Sequence, residues 1–176
     1  MAKFQPVLQA WEKHAAALGR PIGDIDDAPE SSHLRLLLQR GIRNGFDSET
    51  QDGRPASTLM GKRRECDQGR MYISFSPFTQ LIACNDFAVL FQFSPRDTRQ
   101  TDVEVTWLVD GKATDYDVPR MIWGWDTTTL QDKTITENNQ RGVLSRRYQP
   151  GRYSDQEQRV VTFQKWYLAQ LGRERA

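Results

Sequence analysis

Apolar and polar positions alternate along the middle of the chain, in residues 71–76, 87–93 and 103–109. This period of two predicts strands, and another apolar run at 81–84 adds one more. The connections are short, with turn signals at Asn85-Asp86 and Asp110-Gly111, the latter of the hairpin type. Strands joined this way pair antiparallel. The alternating aromatic residues of 87–93 suit either a sheet core or the lining of a ligand pocket, and the core is favoured for at least two of them.

A helical spacing of apolar positions appears near the N-terminus. Residues 7–18 predict an amphipathic helix that ends at Gly19 and Pro21, and residues 33–42 predict a first strand. Residues 43–56 are polar and contain glycine, which favours a turn or an exposed loop.

The chain becomes helical again after Pro119. Asp126 is a suitable N-cap for a helix over residues 127–140. Ser154 and Glu157 have the spacing of a capping box that begins a last helix. Its apolar stripe is predicted to lie across the sheet and contains Val160, Phe163, Tyr167 and Leu171.

These elements predict an α+β fold, an antiparallel sheet with covering helices. We expect an N-terminal helix and loop in residues 1–30 and the main unit in residues 31–176. A length of 176 residues is enough for one domain with a real core.

The composition argues against a nucleic-acid-binding protein and against a membrane protein. The net charge is +1 without a basic stripe, which predicts no nucleic-acid partner. The mean hydropathy is -0.70, and no apolar run approaches the roughly 20 residues that span a bilayer, so no membrane association is expected. No secretory signal begins the sequence, which predicts a cytoplasmic protein with reduced thiols at Cys66 and Cys84.

Asp132 is the candidate site residue. If residues 127–140 are helical, Asp132 faces inward and has Thr128, Thr129, Ile135 and Thr136 three or four positions away. A carboxylate among threonines has three interpretations: a metal ligand, a catalytic base or an ordinary solvated aspartate. The local pattern alone favours the solvated aspartate, since charged helix residues are mostly exposed.

Other chemistry-bearing residues form no recognisable set. His14 and His33 belong to no paired ligand motif, and the two cysteines are far apart in sequence. Arg146 and Arg147 suit an anion site or, more simply, a solvated connector. No G-x-S-x-G, P-loop or G-x-G-x-x-G sequence is present.

The last third of the chain carries a resemblance to a known family. The segments are Trp125-Asp-Thr-Thr-Thr-Leu-Gln-Asp132, the run from Glu137 to Glu157, and Phe163-Gln-Lys-Trp166-Tyr167. They resemble the C-terminal catalytic domain of the alpha subunit of Rieske-type non-haem iron aromatic-ring-hydroxylating oxygenases, nearest the branch that acts on quaternary amines. Weaker similarity extends the match to residues 35–171, through Asp52-Gly53, Phe75-Ser-Pro77, Phe93-Ser-Pro95 and residues 103–108.

The resemblance implies a helix-grip, START-like fold, in which a sheet curls around a long C-terminal helix and encloses a substrate cavity. It also implies Fe(II) held by two histidines and one aspartate, with dioxygen as the oxidant. By this match Asp132 is the metal ligand. Asp126 is the rival and fits better as an N-cap, while Glu137 follows Asp132 at a spacing that resembles the family pattern.

The sequence departs from the family in the other ligands. It contains neither the family's histidine pair nor the Cys-x-His and Cys-x-x-His ligands of the Rieske iron–sulfur cluster. One iron ligand of three would be present and no cluster. We therefore expect no hydroxylation by this chain alone and a companion chain that carries the missing parts. The family resemblance also implies a small organic substrate and allows a homo-oligomer. The alternative is a non-enzymatic helix-grip module that binds a small ligand.

Overall fold

Six antiparallel strands form one sheet in the computed structural model, which describes residues 5–20, 25–26 and 36–173. Each strand pairs with its neighbours in sequence, in the order β1 to β6. The strands are β1 Ile25–Asp26, β2 Leu36–Gly41, β3 Gly69–Ser76, β4 Thr79–Ala83, β5 Phe87–Pro95 and β6 Thr101–Val109. The helices are α1 Gln5–Ala17, α2 Val118–Val143 and α3 Gln158–Arg173, with one 3₁₀ turn, Asp155–Glu157, before α3.

The core lies on one face of the sheet. The strand register places Val89 of β5 between Ile82 and Trp107, and Phe91 opposite Val105. Phe87 and Val89 are completely buried, so the alternation in β5 and β6 marks the core face as predicted. The apolar set Met71, Ile73 and Phe75 of β3 lies on the other face, and Phe75 is half exposed.

Helix α1 packs on the face opposite this core. Gly41 and Gly69 are paired across β2 and β3, and the indole of Trp11 lies against both. A Cβ atom added to Gly69 would be 2.6 Å from Trp11 Nε1, so only glycine permits this approach. Trp11 Nε1 also donates a hydrogen bond to the carbonyl oxygen of Asp67 at 3.0 Å.

Helix α2 contacts the core face through its first two turns. Met121 is buried in the core and Trp125 packs beside it, with its ring edge-on to Phe91 at 5.5 Å between centroids. Asp117 is the N-cap, accepting a hydrogen bond from Arg120 N at 3.0 Å, and Pro119 occupies the first turn. The predicted N-cap at Asp126 is therefore wrong, because Asp126 lies inside the helix.

The last helix begins as predicted but packs differently. Glu157 accepts a hydrogen bond from Ser154 N at 2.7 Å, which confirms the capping pair. Phe163 and Trp166 of α3 make ring contacts with Phe78, in the β3–β4 turn. Much of the predicted stripe is exposed, Tyr167 by 47% for example, so α3 does not bury it across the sheet.

The α+β class with an antiparallel sheet and a long C-terminal helix is confirmed and is consistent with a helix-grip fold. The helix predicted over residues 7–18 is α1, and the strand predicted over 33–42 is β2, with residues 33–35 outside the described part. The turn at Asp110-Gly111 leads into α2 and forms no hairpin. The division at residues 30 and 31 stays a prediction.

Among the described residues, no helix combines the length and apolar character that crossing a membrane requires.

Candidate functional site

Asp132 lies in the second half of α2 and is exposed. It follows Trp125 by seven residues, so its Cβ lies within about 20° of that of Trp125 around the helix axis. It is therefore on the stripe that begins with Met121 and Trp125 on the core face, but beyond the part of the helix that the sheet covers. Asp126 follows Trp125 directly and lies about 100° away from this stripe.

The threonines near Asp132 do not surround its carboxylate. The hydroxyl of Thr128 donates to the carbonyl oxygen of Gly124 at 2.9 Å, and that of Thr136 donates to the backbone oxygen of Asp132 at 2.8 Å. Such bonds to the preceding turn are ordinary for threonine in a helix. The Asp132 carboxylate has neither a hydrogen bond nor an ion pair within the described ranges.

No complete metal site is formed by the residues that the structure describes, since no group of three or more His, Cys, Asp or Glu side chains converges. The described residues therefore do not by themselves fit the Fe(II) centre of the family. His14 is exposed on α1, beside an open cleft of about 400 Å³ whose walls include Trp11 and Ile42. His33 is outside the described residues.

The two cysteines are free thiols, as predicted. Burial raises the pKa of the Cys66 thiol to about 11, and burial raises the pKa of Cys84 well above its ordinary value. Neither is a reactive thiolate at neutral pH.

Arg146, Arg147 and Tyr148 are exposed in the connector between α2 and α3. The Arg147 backbone N–H donates to Ser145 Oγ at 3.3 Å, which orders the turn, and no acidic side chain pairs with either guanidinium in the described ranges. The arrangement agrees with the solvated connector that the sequence favoured, and anion binding stays an untested alternative.

A cluster around Glu49 joins the 42–68 segment to α2, and the sequence pattern gave no sign of it. Trp125 Nε1 donates a hydrogen bond to Glu49 Oε2 at 3.0 Å, while Arg70 of β3 pairs with Glu49 Oε1. The Glu49 side chain is only 12% exposed. In the sequence, Glu49 is one acidic residue of a polar stretch that predicted a turn or an exposed loop.

The same segment closes over the turn between β4 and β5. Asp86 is fully buried and accepts hydrogen bonds from Ser48 Oγ and Ala56 N, both at 2.7 Å. Asn85, also fully buried, donates through Nδ2 to the carbonyl oxygen of Asp47 at 3.1 Å. Residues 43–56 are turns, as predicted, but they contain buried positions and are not simply an exposed loop.

Sequence comparison gives one consistent result. The family model for the ring hydroxylating alpha subunit, catalytic domain, matches residues 28–173. A glycine betaine monooxygenase oxygenase subunit of Chromohalobacter salexigens is 43% identical over 136 residues, which cover 74% of this chain and 31% of that protein. The protein of the same description from Pseudomonas aeruginosa strain UCBPP-PA14 is 37% identical over 149 residues, 80% of this chain and 35% of that protein. The chain thus spans about a third of the length of the curated relatives it matches.

Proposed function

The chain belongs to the ring-hydroxylating oxygenase alpha-subunit family, and we propose that it forms the C-terminal part of a catalytic domain that hydroxylates a small organic substrate with dioxygen. The relatives act as oxygenase subunits by their descriptions, and glycine betaine is the substrate that those descriptions name. A quaternary amine of this size is accordingly the proposed substrate class.

We propose that Asp132 is the carboxylate ligand of an Fe(II) ion in the assembled enzyme. The observation that carries this assignment is the position of Asp132 on the Met121–Trp125 stripe of α2. Within the described ranges its carboxylate has no hydrogen bond or ion pair. Asp126 points about 100° away from Trp125. The iron, when bound, supplies dioxygen activation, and two-histidine-one-carboxylate sites are the usual arrangement for it.

The remaining parts of the centre come from outside these 176 residues. The sequence has two histidines in total and lacks the ligand motifs of a Rieske cluster. A companion polypeptide or segment therefore contributes the two histidines and the cluster, and this chain alone does not hydroxylate. Cytoplasmic location and homo-oligomer formation stay predictions.

A chimera tests the assignment. The matched segment of the Chromohalobacter salexigens subunit is replaced by the corresponding residues of this chain, and bound iron is measured by metal analysis. We expect iron in the chimera and in Asp126→Ala, and a loss of more than about a hundredfold in iron affinity in Asp132→Ala, because removing a direct ligand costs more than the roughly ten- to hundredfold of removing a group that only supports a ligand. Asp126→Ala is the matched control, because it removes the same charge from the same helix.

Equal iron binding by the two variants would contradict the ligand assignment. Glycine betaine oxidation in the chimera, measured by oxygen consumption, tests the substrate class. If glycine betaine raises the melting temperature of this chain with no Fe(II) present, while the chimera binds no iron, the ligand-binding alternative is favoured.

A further inference from the structure

Glu49 makes a polar connection between the body of the molecule and α2, one helical turn beyond the ion pair of Arg120 with Asp52 at 3.7 Å. Its two carboxylate oxygens have separate partners, the indole N–H of Trp125 at 3.0 Å and the guanidinium of Arg70. Arg70 belongs to β3, so the ion pair fixes the carboxylate relative to the sheet. A hydrogen bond to a charged, mostly buried acceptor contributes more than one between neutral groups.

The backbone of the same residue also contacts α2. A Cβ atom added to Gly124 would be 3.1 Å from the carbonyl oxygen of Glu49, which is tighter than ordinary contact. The glycine therefore lets the helix approach the segment closely at the position next to Trp125. The hydrogen bond from Trp125 and the close approach of Gly124 define one contact region, which we call the Glu49 junction: Glu49, Arg70, Gly124 and Trp125.

Beyond this junction the helix is mostly exposed. Residues 126–139 are all exposed except Thr129. A helix rises 1.5 Å per residue, so Asp132 is about 10 Å along the axis from Trp125. A tilt of roughly 10° at the junction would displace Asp132 by about 2 Å, whereas metal–ligand distances tolerate only about 0.2 Å.

We propose that Glu49 is a positioning residue: through Trp125 it sets the direction of α2 and so presents the Asp132 carboxylate at the metal position. Glu49 itself does not contact the metal. The inference rests on the proposed function for the role of Asp132, while the control of helix direction belongs to this chain alone.

Electron–electron double resonance tests the direction of α2 directly in this chain. Spin labels are attached to cysteines introduced at Glu104 of β6 and Asn139 of α2, both exposed, in a Cys66→Ser background. We expect one narrow distance in the parent and a broadened or shifted distribution in Glu49→Ala and Trp125→Phe. Glu49→Gln keeps an acceptor oxygen for the indole and is expected to restore much of the narrow distance.

The control for a merely structural effect is Ile82→Val, which removes a methylene from the buried core. It is expected to lower the melting temperature and leave the label distance unchanged. An unchanged distance in both Glu49→Ala and Trp125→Phe would overturn the proposal, as would an equal change in Ile82→Val. Trp125→Phe keeps the test valid if Glu49→Ala does not fold.

Iron affinity of the chimera then separates this proposal from the proposed function. We expect a loss of at least about tenfold in Glu49→Ala, with partial recovery in Glu49→Gln. One outcome is that the label distance changes in Glu49→Ala while only Asp132→Ala loses iron. That outcome overturns the positioning role, and the ligand assignment stands. If Asp132→Ala also keeps its iron, the proposed function fails, and the positioning role fails with it.

Discussion

At the scale of single residues, Asp86 has a carboxyl group that is completely buried. Its two oxygens accept hydrogen bonds from Ser48 and from the backbone of Ala56, yet burial dominates and raises the pKa of Asp86 above the ordinary value of 3.8. Asp110 is the opposite case, because backbone hydrogen bonds from Lys112 and Gly61 hold its pKa below 3.8.

These shifts predict opposite pH dependences of stability. A raised folded-state pKa means that the contribution of Asp86 is fully present below the unfolded pKa and is lost as pH rises through the folded pKa. The loss of unfolding free energy caused by Asp86→Asn should therefore be larger at about pH 4 than at about pH 7. Urea unfolding at both pH values measures it.

Asp110→Asn is the matched control with the reverse sign. A lowered pKa contributes stability above the unfolded pKa that is lost as pH falls, so this substitution should cost more at neutral pH than at acid pH. The same direction of change in both variants would contradict the electrostatic explanation.

The position of Asp132 shows what could be predicted at this scale. Its residue type and the similarity of the surrounding segment identified it as a candidate ligand. The sequence could not show that the neighbouring threonines bond to the helix backbone, because side-chain rotamers decide this. The environments of Glu49 and Asp86 also escaped prediction, since their partners are distant in sequence.

At the scale of elements, the contact of α1 with the sheet depends on two glycines that are neighbours across β2 and β3. The absence of side chains at Gly41 and Gly69 creates a flat surface that the indole of Trp11 covers. The apolar spacing predicted the helix, but the place where it docks depends on a pairing between two strands that residues 42–68 separate.

Gly69→Ala is expected to destabilise the protein by about 1–3 kcal/mol, because the added methyl group overlaps the indole. Gly111→Ala is the control, since no atom lies within 4 Å of the added Cβ, and its effect should stay within about 0.5 kcal/mol. Urea unfolding gives both values. In a Trp11→Ala background the cost of Gly69→Ala should largely disappear, and an undiminished cost would contradict the overlap.

Strands and helices were predicted with different success for a physical reason. In β5 and β6 one face is buried, which requires apolar residues at every second position. The alternation is therefore visible in the sequence. The start of α2 was misplaced because Asp126 and the threonines after it imitate an N-terminus, whereas Asp117 two residues before Pro119 is the actual cap. Propensity alone does not choose between two acceptable caps on one long helix.

At the scale of the whole molecule, stability is unevenly distributed. Residues 87–91 of β5 are largely buried, while α2 after Trp125 is nearly all exposed, including Leu130 at 59% and Ile135 at 64%. A helix with so little tertiary packing depends mainly on its own hydrogen bonds.

Hydrogen exchange should show this division. In the isolated chain, amides of residues 130–142 are expected to exchange much faster than those of residues 87–91, because local opening of α2 exposes little apolar surface. In the chimera the same α2 amides should become protected. Equal protection of both segments in the isolated chain would contradict the division, and mass spectrometry of peptic fragments measures it.

The sequential strand order has a consequence for how the chain folds. Contacts between neighbouring strands close short loops, which costs little entropy and favours rapid assembly of β3 to β6. The pairing of β2 with β3 must instead close residues 42–68, the segment that holds Glu49 and Ser48. We therefore expect the Glu49 junction to form after the sheet that it joins to α2, and α2 to acquire its final direction late in folding.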